Sequence, residues 1–150
     1  MSLAVLHLHS PIGALIADPA PHVSPSDTLT HVSQVMRVNN ISAVLVGPNH
    51  DAVVTERDLT RALARQYPAT TPAAEVATPM PITVDADTEV LEAAALMLNQ
   101  EVRHLVVELP DGSCGIVSLR AIMAVLLQAA RPDTWLSSLR IRVEMPRALG

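Results

Sequence analysis

Thr55-Glu56-Arg57-Asp58 places a hydroxyl, a guanidinium and a carboxylate where a β-rich stretch gives way to a helical pattern. The unpaired N–H groups and partial positive charge of a helix start suit an anionic group such as a phosphate. A guanidinium adds a planar cation that matches phosphate oxygens. The spacing Thr55-x-x-Asp58 is equally that of a capping box, which satisfies the orphan N–H groups with no ligand at all. The two readings are compatible, and these four residues leave both open. Arg57 by itself is as readily a solvated surface residue.

The remaining chemistry-bearing residues do not assemble. His7-x-His9 lacks the third ligand that a metal site needs, and His22, His31 and His50 are dispersed without metal spacing. His104 reads as a half-buried strand residue. Cys114, the only cysteine, sits beside a turn glycine without a catalytic partner in sequence order, so it reads as structural. Glu89, Glu92 and Glu101 read as charges on solvated faces and not as an acid/base pair. No Walker or Rossmann glycine loop is present. The expectation is a protein that is not an enzyme, binds no metal and requires no cofactor.

Composition narrows the elements available to position these groups. Hydrophobic residues make up 49% of the 150, yet aromatics are only 1% and Phe is absent. A core of Ala, Val, Leu, Ile and Met is therefore expected, with too much apolar mass for a disordered chain. Ten Lys+Arg against fifteen Asp+Glu, with no basic run, argue against nucleic-acid binding. The scarcity of aromatics removes stacking platforms as well. The longest apolar stretch, 121–127, is too short to span a bilayer. The N-terminus lacks the basic region of a signal peptide. A cytoplasmic protein with no membrane partner is expected.

The chain repeats itself. Val23 stands over Val84, an offset of 61, and the same offset pairs Leu29 with Val90, Val32 with Ala93, Met36 with Met97 and Val44 with Leu105. The offset then becomes 63, which lays Ala52-Val53-Val54-Thr55 over Gly115-Ile116-Val117-Ser118. Each copy reads as a short strand ending at Val23 or Val84, then a helix begun by Ser26-Asp27 or Asp87-Thr88. Stops follow at Asn39-Asn40 and Asn99-Gln100. A hairpin comes next, from strands 43–46 with 52–54 and 104–107 with 115–117, and a second helix starts near Thr55 or Ser118. The fold class expected is α+β, two tandem β-α-β-β-α motifs. Their boundaries are 11–67 and 72–130, joined by a Pro68–Pro72 linker and followed by a 131–150 tail. About 60 residues are marginal alone, so the copies are expected to pack sheet to sheet around a pseudo-twofold axis.

Val23-Ser-Pro-Ser-Asp-Thr-Leu29, Val53-Val-Thr-Glu-Arg-Asp-Leu59, Val76-Ala-Thr-Pro-Met-Pro-Ile-Thr-Val84 and Gly115-Ile-Val-Ser-Leu-Arg120 resemble the recurring pieces of the CBS domain. Two tandem copies over 11–130 resemble a CBS pair, or Bateman module. The resemblance implies a regulatory module that binds an adenine nucleotide in a cleft between its motifs: AMP, ADP or ATP, with S-adenosylmethionine and NAD as further candidates. It implies a phosphate on Thr55 and Arg57 and a ribose diol on Asp58. It puts adenine against Ile82, Thr83 and Val84, and against Ser42 and Ala43. A second, degenerate site would comprise Val23, Ser24, Arg103, His104, Ser118 and Arg120. There Ala121 stands where the first copy has Asp58. Ala52 also departs from the family pattern, which has Gly at that place. The resemblance further implies a homodimer and a regulated enzyme or transporter as partner. A ligand-free structural or dimerisation module is the alternative.

Beyond the second copy, Trp135-Leu136 reads as a docking pair, and Leu139-Arg-Ile-Arg-Val143 alternates as a half-buried strand does. The tail resembles the opening of an ACT domain, which implies a chain that is a fragment of a longer protein. A plain tail or a dimer-contact strand is the other reading.

Overall fold

A computed structural model describes residues 6–130. The expectations for the tail, with Trp135-Leu136 and the 139–143 strand, lie outside the described residues. The chain forms two compact units. Pro19–Ile82 make one, and residues 6–18 together with those from Thr83 onward make the other.

In the Pro19–Ile82 unit, strands β1 (His22–Val23), β2 (Ala43–Val46), β3 (Ala52–Thr55) and β4 (Thr78–Pro79) form a sheet in that order. β1 runs parallel to β2, and the other pairs are antiparallel. Every residue of β2 is buried, as a central strand covered on both faces requires. Helix α1 (Leu29–Asn39) buries Leu29, Val32 and Met36, the i, i+3, i+7 stripe of an amphipathic helix. Val32, Met36, Val44, Val46 and Val54 meet in one core cluster. Helix α2 (Glu56–Ala64) follows β3 directly.

The other unit repeats this plan with β5 (Thr83–Asp85), α3 (Val90–Gln100), β6 (His104–Glu108), β7 (Cys114–Ser118) and α4 (Leu119–Ala130). β5 is parallel and β7 antiparallel to β6. Helix α3 buries Val90, Ala93 and Met97, and α4 buries Ile122 and Val125. These are the offset partners of the α1 stripe and of Leu59 and Ala62. The α+β class and the tandem motifs are thus present.

Both first helices start later than Ser26-Asp27 and Asp87-Thr88 suggest. The caps are Thr28, whose hydroxyl accepts the His31 N–H at 3.1 Å, and Glu89, whose N–H donates to the Glu92 carboxylate at 3.2 Å. Asp27 instead accepts the Ser24 N–H at 2.7 Å and shapes the turn before the helix, a competing local use of a short carboxylate. Asn40 ends α1 in the left-handed region at φ 51°, a conformation that Asn tolerates. Glu101 takes the same place after α3 at φ 55°. That is one residue beyond the expected stop, with a side chain that gains nothing there. Strand β4 and two 3-10 turns, Ile12–Leu15 and Ala73–Glu75, are elements that periodicity does not reveal.

The opening stretch of each copy packs with the other copy. Ile12 and Gly13 donate their N–H groups to the carbonyls of Thr88 and Ala86, at 2.7 and 2.9 Å. Sixty-one residues on, Ala73 and Ala74 donate to Asp27 and Pro25, at 2.7 and 3.0 Å. Likewise Val90 N donates to Ser10 O while Leu29 N donates to Thr71 O. In the last two bonds the incoming backbone accepts the first N–H of a helix, which has no internal partner.

Candidate functional site

The strand-to-helix junction of the first copy is built as the spacing Thr55-x-x-Asp58 dictates. Thr55 closes β3 and caps α2. Its hydroxyl accepts the Asp58 N–H at 3.3 Å, and the Asp58 carboxylate accepts the Thr55 N–H at 2.9 Å, so the capping box is complete. The Thr55 hydroxyl also donates to Asp58 Oδ2 at 3.1 Å. Its single donor is therefore committed within the protein. The Glu56 N–H donates to the Ser42 carbonyl at 3.0 Å and ties the helix start to the head of β2.

Asp58 is 5% exposed, and it is the only carboxylate among the buried described residues. Its two oxygens differ. Oδ2 holds both Thr55 donors. Oδ1 has only long contacts, with the Thr78 hydroxyl at 3.4 Å and with Arg61 Nη1 at 3.6 Å. A carboxylate has about four lone-pair positions, so Oδ1 is the oxygen with capacity left. Asp58 also lines a recess of about 90 Å3 between α2 and the 3-10 turn, with Arg61, Arg65, Tyr67 and Glu75 at its walls. Whole-ligand pockets run to roughly 300 Å3 and more, so this recess holds a fragment of a ligand at most.

Of the other residues expected at the first site, Arg57 is exposed on α2 and Ser42 is half-buried. Ala43 is buried opposite Thr55 in the β2–β3 ladder, which leaves its backbone as the part that pairs. Ile82 ends the same unit, half-buried. Thr83 and Val84 belong to the other unit, where they pair with Val106 and Val107 in β5–β6.

The equivalent junction in the second copy keeps the scaffold and lacks the acid. Leu119 N donates to the Arg103 carbonyl at 2.8 Å, as Glu56 does to Ser42. The Ser118 hydroxyl accepts the Ala121 N–H at 3.2 Å, so it caps α4 as Thr55 caps α2. Arg103 and Arg120 are exposed and His104 is half-buried. Val23, buried, and Ser24, exposed, lie in the first unit. Among the described residues no group of three or more His, Cys, Asp or Glu is placed to hold a metal, and no helix is long and apolar enough to cross a membrane.

Sequence reading missed Thr78 and Arg61. Arg61 carries a signal, because a residue three positions on shares the helix face of Asp58. Thr78 reaches Asp58 only through β4, whose pairing no local pattern announces.

Comparison with known proteins places this architecture. The CBS domain family model matches residues 12–65 and again 73–128. An uncharacterised 17.7 kDa protein of Acidianus ambivalens is 33% identical over 109 residues, which are 70% of this chain and 66% of that protein. An uncharacterised protein of Methanopyrus kandleri is 32% identical over 108 residues, covering 68% of this chain and 55% of its own length. The chain thus spans less than two thirds of either relative. Among solved structures, the CBS domain protein of Pyrobaculum aerophilum complexed with AMP superposes with a TM-score of 0.67 at 29% identity, over 80% of this chain and 98% of that one. Two family matches in tandem, over the two copies that the internal repeat defines, establish that this chain belongs to the CBS domain family.

Proposed function

We propose that the chain is a non-catalytic, cytoplasmic regulatory module that binds an adenine nucleotide between its two CBS motifs, chiefly at the Asp58 junction. The observation that carries this reading is the Asp58 carboxylate, buried yet with one oxygen left in long contacts only. Desolvating a carboxylate is costly unless hydrogen bonds repay it, and a ribose hydroxyl supplies such a bond. The 29% identity with a protein complexed with AMP supports the choice of ligand. On this reading Arg57 meets the phosphate, because the Thr55 donor is already used. Ile82, Thr83 and Val84, with the backbone of Ser42 and Ala43, receive adenine. The second site offers Arg103, His104, Ser118 and Arg120 without an acid, so it suits a more anionic ligand or stays empty.

Thermal shift with AMP, ADP, ATP, S-adenosylmethionine and NAD tests the proposal on wild type and Asp58→Ala. A ligand at 100 times its Kd adds about 2.7 kcal/mol of stability. If no nucleotide shifts the wild type, the reading fails. If Asp58→Ala lowers stability by about 1 kcal/mol, as loss of a cap does, and the nucleotide shift survives, Asp58 is a cap only.

A second reading, a dimerisation module, is favoured by the face of α4. Leu119, Met123 and Leu127 recur every fourth residue and stay 37 to 45% exposed. Their offset partners on α2 are Glu56, Thr60 and Ala64. A homodimer through α4 is compatible with nucleotide binding and with a fused or separate enzyme or transporter as target. Sedimentation of the Leu119→Gln/Met123→Gln protein as a monomer, against a dimeric wild type, is the result expected of it.

A further inference from the structure

The contacts of Asp58 Oδ1 carry a step beyond nucleotide binding itself. Thr78 comes from β4, an edge strand of two residues paired only as Ala52↔Pro79 and Val53↔Thr78. Proline has no N–H to give, so half of this ladder is weakened by its own composition. Met80 follows at φ 48° and 87% exposed, with its N–H on the Asp51 carbonyl at 2.9 Å. Few buried contacts and few backbone bonds mark a segment that opens locally at low cost. The Thr78 hydroxyl on Asp58 adds one side-chain contact to this short pairing. At 3.4 Å that bond is long and readily exchanged.

We propose that Thr78 stands in for the ligand: its hydroxyl occupies Asp58 Oδ1 in the free protein, and an incoming ribose hydroxyl that takes this oxygen releases Thr78 and loosens β4. The inference rests on the nucleotide reading and adds to it a competitor and a mobile consequence. Oδ2 cannot serve both ribose hydroxyls, because Thr55 already gives it two donors. Oδ1 is where the diol and Thr78 meet. Arg61, three residues along the same helix, stays beside Oδ1 in either state and keeps the carboxylate compensated.

Calorimetric titration of the full chain with AMP and with 2′,3′-dideoxy-AMP tests this on wild type, Thr78→Val and Thr78→Ser. Thr78→Val keeps the shape and removes the hydroxyl. It is expected to bind AMP about twofold more tightly, the low end of what one hydrogen bond contributes, since the bond no longer broken is a long one. Thr78→Ser restores wild-type affinity, and the dideoxy analogue shows no gain. Amide exchange over residues 77–80 of the wild type speeds up when AMP is bound. Unchanged or weaker AMP binding by Thr78→Val overturns the proposal, and so does an equal gain for the dideoxy analogue or slower exchange in 77–80. If the wild type itself gives no heat with AMP, the nucleotide reading fails and this inference falls with it. AMP binding that ignores position 78 removes the inference alone.

Discussion

Gly115→Ala should destabilise the protein, and Ile16→Ala should reverse the sign of that effect. A Cβ added at Gly115 would lie 2.5 Å from Ile16 Cγ2 and 3.0 Å from both Cδ1 and Cγ1. Carbon atoms prefer about 3.5 to 4.0 Å, so the overlap reaches roughly 1 Å. Ile16 is half-buried, and its side chain must shift to relieve the contact. Overpacking of this kind costs about 1 to 3 kcal/mol. Against it, Gly→Ala stabilises by about 0.4 to 1 kcal/mol through the unfolded chain, where the backbone accepts Ala. The φ of Gly115 lies outside the left-handed region, so that gain applies. The net expectation is a loss of about 1 kcal/mol in the wild-type background. In an Ile16→Ala background the overlap is gone, and Gly115→Ala becomes neutral or stabilising by about half a kcal/mol. The double variant recreates the pair that the repeat places in the other unit, Ala77 and Ala52, both packed on the core there. Urea unfolding followed by far-UV circular dichroism, on the two single variants and the double, gives the coupling. Additivity within about 0.5 kcal/mol would refute the packing argument, because Gly115 would then answer to something other than Ile16.

Acid should weaken the fold through His22. Burial first, and then the charge of His50 with its Nδ1 2.7 Å from His22 Nε2, hold the His22 imidazole below its ordinary range. The unfolded chain then binds more protons than the folded one just below pH about 6.5, so stability rises with pH through that window. Thermal melts at pH 5.5 and 7.5 should differ more in wild type than in His22→Gln. Burial and then Glu108 push the Cys114 thiol up; since the thiolate is the reactive form, labelling by a disulfide reagent at pH 7.5 should be slow and accelerate when urea unfolds the chain. Finally, a 19–82 peptide keeps the donations of Ala73 and Ala74 to Asp27 and Pro25, and an 11–67 peptide loses them. Only the former is expected to unfold cooperatively, and equal behaviour of the two would contradict the exchanged packing of the opening stretches.

The fold was legible where a local period and a burial stripe coincide. Leu29-Val32-Met36 and Val90-Ala93-Met97 announce α1 and α3 because each stripe needs only the helix itself to line up. The Ala43–Val46 run announces β2 for the same reason. Helix starts were less legible. Ser26, Asp27 and Thr28 are all competent caps in sequence, and what selects Thr28 is a set of non-local bonds, Leu29 N to Thr71 O and Ala73 N to Asp27 O. Those bonds come from about 45 residues away, so no window around the helix contains the deciding information. The exchange of opening stretches was hidden for the same reason, since the repeat shows that two segments are alike without showing which copy each one joins.

The site divides along the same line. Thr55 and Asp58 lie three residues apart, and their mutual bonds follow from that spacing alone. The roles of ligand and cap were not separable in sequence because both use the same atoms; in the structure the capping bonds fall on one oxygen of the two. Oδ2 is saturated by Thr55, and that accounts for the cap. Oδ1 faces Thr78, twenty residues away, and Arg61. A carboxylate needed only as a cap would be served by Oδ2 alone, and the second copy shows how little a cap requires: Ser118 closes α4 with Ala121 in the acid's place. The helix start can therefore be satisfied without an acid. The burial of one in the first copy, with an oxygen still held loosely, calls for a reason that capping does not supply.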